Sequence, residues 1–172
     1  MSTPPLIVHT RARVLRVAHI NGLSVTILSS LASVVSLLFG DWSGFAIGLF
    51  AIASGVMELH GRKRLVKGDN IGAAKWLPRS QLWLLSVITV YAVTRLASFA
   101  SDTILDNLSP DMKALLDQIG MDANALVPLV RKIFYAFYGS VLLVTWLYQG
   151  LMWRFYRKSL AKIETASSSS AQ

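Results

Sequence analysis

Residues 17–39 read VAHINGLSVTILSSLASVVSLLF, and no charged residue interrupts the chain between Arg16 and Asp41. A helix needs about 20 apolar residues to cross the ~30 Å hydrocarbon core of a bilayer. This stretch is long enough, and three more follow at Trp42–Leu59, Leu82–Ala100 and Leu126–Met152. Soluble helices carry an apolar stripe on one face, whereas these runs are apolar all round. The expected fold is all-α, a polytopic membrane protein whose four-transmembrane-helix bundle carries short interfacial helices. Arg11, Arg13 and Arg16 give the first run a positive flank like that of a secretory signal. Its length exceeds the about 7–15 apolar residues of such signals, and Leu37-Leu38-Phe39-Gly40 makes a poor cleavage site, so it reads as a retained span.

Composition supports the same class. Of 172 residues, 53% are hydrophobic and 15% charged, too few charges to cover a soluble globule of this size. The net charge of +8 would suggest nucleic acid in a soluble chain. Here the basic residues flank the apolar runs, where they set orientation and meet anionic headgroups, so no nucleic-acid partner is expected. The absence of cysteine removes disulfides, thiolate metal sites and thiol nucleophiles. No Ser-His-Asp set, His-Glu-x-x-His pattern, phosphate loop or dinucleotide fingerprint is present, and catalysis by this chain is not expected. In number of spans the chain is similar to the four-span small multidrug transporters, but its first span lacks the deep acid that proton coupling would need. The missing cysteines separate it from tetraspanin-like proteins.

Sorting the basic residues gives an orientation. The segment 1–16 holds the three arginines above, and the link 60–81 holds Arg62, Lys63, Arg64, Lys67, Lys75 and Arg79. The tail 154–172 holds Arg154, Arg157, Lys158 and Lys162. Across the four-span domain, 17–153, the turn Gly40–Gly44 has no basic residue. The link 101–125 with the start of span 4 has Lys113, Arg131 and Lys132 against Asp102, Asp106, Asp111, Asp117 and Asp122. The positive-inside rule then places both termini in the cytoplasm and the protein in the plasma membrane, the inner membrane if bacterial. Anionic lipid headgroups are the expected partners of Arg62, Lys63, Arg64, Lys67, Lys75, Arg79 and Trp76. In the inner link, Asp69 or Asn70 caps a short interfacial helix that Pro78 ends or kinks. In the outer link, Ser109-Pro110-Asp111 opens an amphipathic helix through Met112, Leu115, Leu116 and Ile119 that stops at Gly120. Trp42, Tyr135, Trp153 and Tyr156 read as headgroup-level anchors, and the Ser-rich tail from Thr165 as disordered.

Spans 1 and 2 carry a matched pattern of small residues. Backward along span 1 these are Gly40, Ser36, Ser33 and Ser29; forward along span 2 they are Gly44, Gly48, Ala51 and Gly55. Both series step by four, three and four residues, so each occupies one helix face. An antiparallel hairpin pairs them in the order given, and close backbone approach through small residues supplies packing in lipid. The serines have a second reading, the lining of a wet path, opposed by the tendency of membrane serines to bond their own preceding turn.

Ionisable residues within or beside the spans are candidates for function. Arg95 lies toward the outer end of span 3, with Asp102 seven residues on as a partner; Glu58, at the inner end of span 2, is placed to pair with Arg62 at the interface. His19 and His60 stand near the inner ends of adjacent spans, where two imidazoles could ligate haem or a metal, although no attachment motif accompanies them. No cofactor is expected. The leading functional expectation is a non-catalytic membrane subunit or scaffold working by helix packing in a homo-oligomer or with other membrane subunits. An oligomeric channel or small transporter, and a haem- or quinone-associated electron-transfer subunit, are the alternatives.

Overall fold

The pattern Gly-Asp-x-x-Gly occurs twice, at Gly40–Gly44 and Gly68–Gly72, and each copy turns one helix into the next. The computed structural model describes residues 5–101, 111, 115, 118 and 123–169, in four helices: α1 (Pro5–Leu38), α2 (Trp42–Val66), α3 (Asn70–Ser101) and α4 (Ala123–Ser169). The first glycine of each motif is left-handed, φ 71° at Gly40 and 85° at Gly68, a conformation that side chains with a Cβ resist. It closes the preceding helix with paired bonds, from Gly40 N to Leu37 O and Asp41 N to Ser36 O, and from Gly68 N to Leu65 O and Asp69 N to Arg64 O. The aspartate then caps the next helix. Gly44 N–H donates to Asp41 Oδ1 at 3.0 Å and Gly72 N–H to Asp69 Oδ1 at 2.8 Å. The last glycine leaves room for that cap, because a Cβ on Gly44 or Gly72 would push the capping carboxylate aside.

All four helices are long and apolar enough to cross a bilayer, over Val8–Leu38, Trp42–Val66, Asn70–Ser98 and Val127–Ala166. Among the described residues there is no strand. The architecture is all-α and consistent with a membrane helical bundle of a multi-pass protein.

Three expectations about the links need correction. The short inner helix ending at Pro78 does not exist as a separate element: its residues are the first turns of α3, and the inner link is reduced to Lys67-Gly68-Asp69. Pro78 removes one backbone donor and crowds the carbonyl four residues earlier. The helix continues through it because residues on both sides are packed, Ala73 and Leu77 before it in the larger core and Leu84 and Val87 after it against Ala51. The fourth helix likewise runs past residue 152, and the tail from Thr165 is helical to Ser169. Beyond the apolar run, Tyr156, Leu160 and Ile163 recur at intervals of four and three and are all buried, so α4 becomes an amphipathic helix with a face to pack. At about 1.5 Å per residue α4 is roughly 70 Å long, more than twice a bilayer core. The outer amphipathic helix over 109–120 lies outside the described residues but for Asp111, Leu115 and Gln118, as do Asp102 and Asp106.

The chain divides into two compact units, Met1–Ile88 with Trp146–Gln172, and Thr89–Thr145. The first contains α1, α2, the start of α3 and the end of α4. Its larger core gathers Val14 and Ala18 from α1, Leu65 from α2, Ala73 and Leu77 from α3, and Tyr156, Leu160 and Ile163 from α4. These residues belong to the ends of the helices that carry the basic residues. A second cluster sets Ala51 against Leu84 and Val87. The unit 89–145 is held by aromatic contacts, Tyr91 with Tyr138 at 6.3 Å and Phe134 with Tyr138 at 4.6 Å between ring centres.

Candidate functional site

Glu58 lies in the sixteenth position after Trp42, roughly 24 Å along α2 at 1.5 Å per residue. It is 1% exposed. A buried carboxylate is costly unless hydrogen bonds satisfy it. Here Asn21 Nδ2 of α1 donates to Oε2 at 2.7 Å, and the Tyr156 hydroxyl of α4 donates to Oε1. Tyr148 O–H, about two turns before Tyr156 on α4, donates to Asn21 Oδ1 at 2.9 Å. Gln81 of α3 lies beside the same carboxylate, and its Nε2 donates to Ser80 Oγ at 3.2 Å. One turn before Glu58 on α2, Ser54 reaches the backbone of Ser80. Every helix therefore contributes to one buried polar cluster.

This arrangement replaces the pairing with Arg62 expected of Glu58. It bonds Asn21 and Tyr156 rather than Arg62, because the i, i+4 direction toward Arg62 leads along the helix surface while Glu58 points inward to the other helices. Tyr156 is likewise no headgroup anchor: it is fully buried, with its ring in the core and its hydroxyl on Glu58. Asn21, Gln81, Gln149 and Tyr148 had not been singled out. Their signal was present as uncharged amides and a phenol close to Glu58 in depth, in otherwise apolar helices. Gln81 Oε1 and Gln149 Oε1 are buried without a hydrogen-bond partner among the described residues.

The small-residue face of the α1–α2 hairpin forms, displaced by about one turn. Ser36 faces Gly44, Ser33 and the Ser29 carbonyl face Gly48, and Thr26 with the Gly22 carbonyl face Gly55. The expected partners were Gly48 for Ser36, Ala51 for Ser33 and Gly55 for Ser29. The displacement arises at the turn: Gly40 leaves the helix as its left-handed terminator, nothing lies within 4 Å of a Cβ built on it, and it pairs with no glycine. Ala51 turns toward Leu84 and Val87 of α3. The hydroxyls of Thr26, Ser30 and Ser33 donate to Gly22 O, Thr26 O and Ser29 O at 2.7–2.9 Å, so they are bonded to their own helix.

The remaining candidates fall apart from Glu58. Arg95 is half-buried in the unit 89–145, its guanidinium 5.3 Å from the Tyr91 ring centre. Its expected partner Asp102 lies outside the described residues. His19 and His60 do come together, as walls of one groove between α1 and α2. His60 is held by Trp76, 5.0 Å away edge to face, and its Nε2 accepts from Arg64 Nε at 2.9 Å. Arg64 also pairs with Asp69 at 2.9 Å. The Gly72 amide, and then the Arg64 guanidinium, hold the Asp69 carboxyl below its ordinary value. Among the described residues no group of three metal-ligating side chains converges. Lys75 and Arg79 are exposed on α3, and Arg79 borders a shallow cavity with Met57 and Trp83.

No protein-family model, curated protein or solved structure matches the chain.

Proposed function

We propose that the chain is an integral membrane protein with cytoplasmic termini that serves as a non-catalytic subunit or scaffold, associating with copies of itself or with other membrane subunits. The observation that carries this reading is the division of α4. One face of it is spent inside the protomer, through Gln149, Tyr156, Ser159, Leu160 and Ile163. Gly139 and Gly150, three helical turns apart on the same helix, stand where no described residue lies within 4 Å of an added Cβ. Small residues left on an open face of an apolar helix are what a second helix packs against in lipid. The Glu58 cluster fits the same role, because its carboxylate is enclosed and its bonds join helices. The channel reading draws less support, since the span 1 hydroxyls are bonded to their own carbonyls.

The test is gentle extraction followed by mass measurement of the native assembly, with Gly139→Leu and Gly150→Leu as variants. An assembly larger than one chain that dissociates in the variants is expected. A lone protomer with no co-purifying protein overturns the proposal.

A further inference from the structure

The groove shared by His19 and His60 has a chemical direction. Its volume is about 330 Å³, and its walls are His19 and Leu23 from α1 with Val56, Leu59, His60, Arg62 and Lys63 from α2. The two helices run antiparallel, yet both walls change character in the same direction. Toward the basic end stand His19 on one side and His60, Arg62 and Lys63 on the other. Toward the apolar end stand Leu23 on one side and Val56 and Leu59 on the other. Among the described residues no acidic side chain lines it. An adjoining groove shares His60 and Lys63 and adds Arg64, Lys67 and Asp69, the last already engaged by Arg64.

The hydrogen-bonding pattern selects the ligand's charge. Arg64 Nε can only donate, so His60 Nε2 must be the acceptor and, in the neutral ring, the proton resides on Nδ1. His60 thus has a donor, not a metal-binding lone pair, left to offer. Lys63 supplies further donors. Arg62 lines the same end of the groove and adds a fixed positive charge. A donor-rich end and an apolar end in one groove match an amphiphile with an anionic head. From this we propose that the α1–α2 groove is a binding site for an anionic glycerophospholipid, its phosphate held by His60, Arg62 and Lys63 and an acyl chain lying on Leu23, Val56 and Leu59. The inference rests on the membrane-spanning reading and adds a defined site to the general attraction between basic residues and headgroups.

The experiment reconstitutes the full chain in vesicles, checks insertion by flotation, then extracts it gently and measures bound lipid by native mass spectrometry. The probes are phosphatidylglycerol, phosphatidylcholine and inorganic phosphate. Phosphatidylglycerol is expected to be retained about tenfold over phosphatidylcholine, because both present a phosphate but only the latter brings a choline cation, which Arg62 and Lys63 repel. Lys63→Gln with His60→Ala should abolish that preference, while Lys158→Gln with Lys162→Gln, which removes equal or greater charge from α4, should leave it. Because His60 and Lys63 are exposed, the variants are expected to fold, and an unchanged circular dichroism spectrum verifies it. Equal retention of both lipids, equal loss in the α4 variant, or displacement of the lipid by millimolar inorganic phosphate overturns the site. Failure of the wild-type chain to float with the vesicles would instead overturn the membrane-spanning reading itself.

Discussion

Removing the Glu58 carboxylate should loosen all four helices at once, and the structure gives the size of the effect. Glu58→Ala leaves two buried donors, Asn21 Nδ2 and the Tyr156 hydroxyl, without their acceptor. A stranded buried donor costs about 1–3 kcal/mol in soluble proteins, whereas hydrogen bonds between membrane helices average ~0.6 and reach ~1.7 kcal/mol. The site lies between these cases, so a total loss of about 2–4 kcal/mol is expected. Glu58→Gln keeps the shape but turns one accepting oxygen into a donor, so about half that loss should remain. Tyr156→Phe removes one bond and leaves the ring packed. The assay is unfolding in mixed micelles of increasing dodecyl sulfate, followed by tryptophan fluorescence. A double-mutant cycle between Glu58→Gln and Tyr156→Phe should give a coupling of at least about 0.5 kcal/mol, as directly bonded residues do. Additivity within about 0.3 kcal/mol, together with a wild-type midpoint for Glu58→Ala, would refute the cluster as the clamp of the fold.

Gly48→Leu should open the α1–α2 hairpin, because even a Cβ there strikes the Ser33 side chain and approaches the Ser29 carbonyl at 3.2 Å; a loss of about 1–3 kcal/mol in the same assay is expected, and an unchanged midpoint would reject the contact face. Gly40→Ala forces a Cβ into the left-handed region in otherwise open space, so its cost should be about 1 kcal/mol, all of it conformational, with Gly40→Asn recovering part. The Asp69 cap should be pH-sensitive: its folded-state pKa is depressed, so its stabilisation is present above the ordinary value of 3.8 and lost as pH falls through the lower folded value. Asp69→Asn should flatten that acid limb of the unfolding curve, and an identical limb in both proteins would contradict the cap.

Much of the fold is legible in the chain because bilayer-length runs without charge admit few alternatives. The existence of four helices, the turn at Gly40-Asp41 and the small-residue hairpin face follow from local pattern. The register of that hairpin does not, since it depends on where α1 stops, and Gly40 serves as terminator rather than as a packing residue. Pro78 suggests a helix end when read locally, but Ala73 and Leu77 before it and Leu84 and Val87 after it all pack against neighbouring helices and the helix continues. The length of α4 was hidden for a similar reason. Arg154, Arg157 and Lys158 look like the close of a span until Tyr156, Leu160 and Ile163 are seen to share a buried face.

By itself the sequence determined the class of protein, all-α with four helices able to span a bilayer, and the asymmetry of charge along them. Those properties depend on hydrophobicity summed over some twenty residues, and such sums are insensitive to where any one side chain points. The tertiary structure decided the chemistry. Asn21, Glu58, Gln81 and Tyr156 are far apart in the chain, and nothing in their spacing joins them; only the packing of α1 to α4 turns them inward to one point. The same packing aligns the basic and apolar ends of two antiparallel helices into one groove. Burial and mutual orientation are properties of pairs of helices, and these made Glu58 the centre of a buried polar cluster.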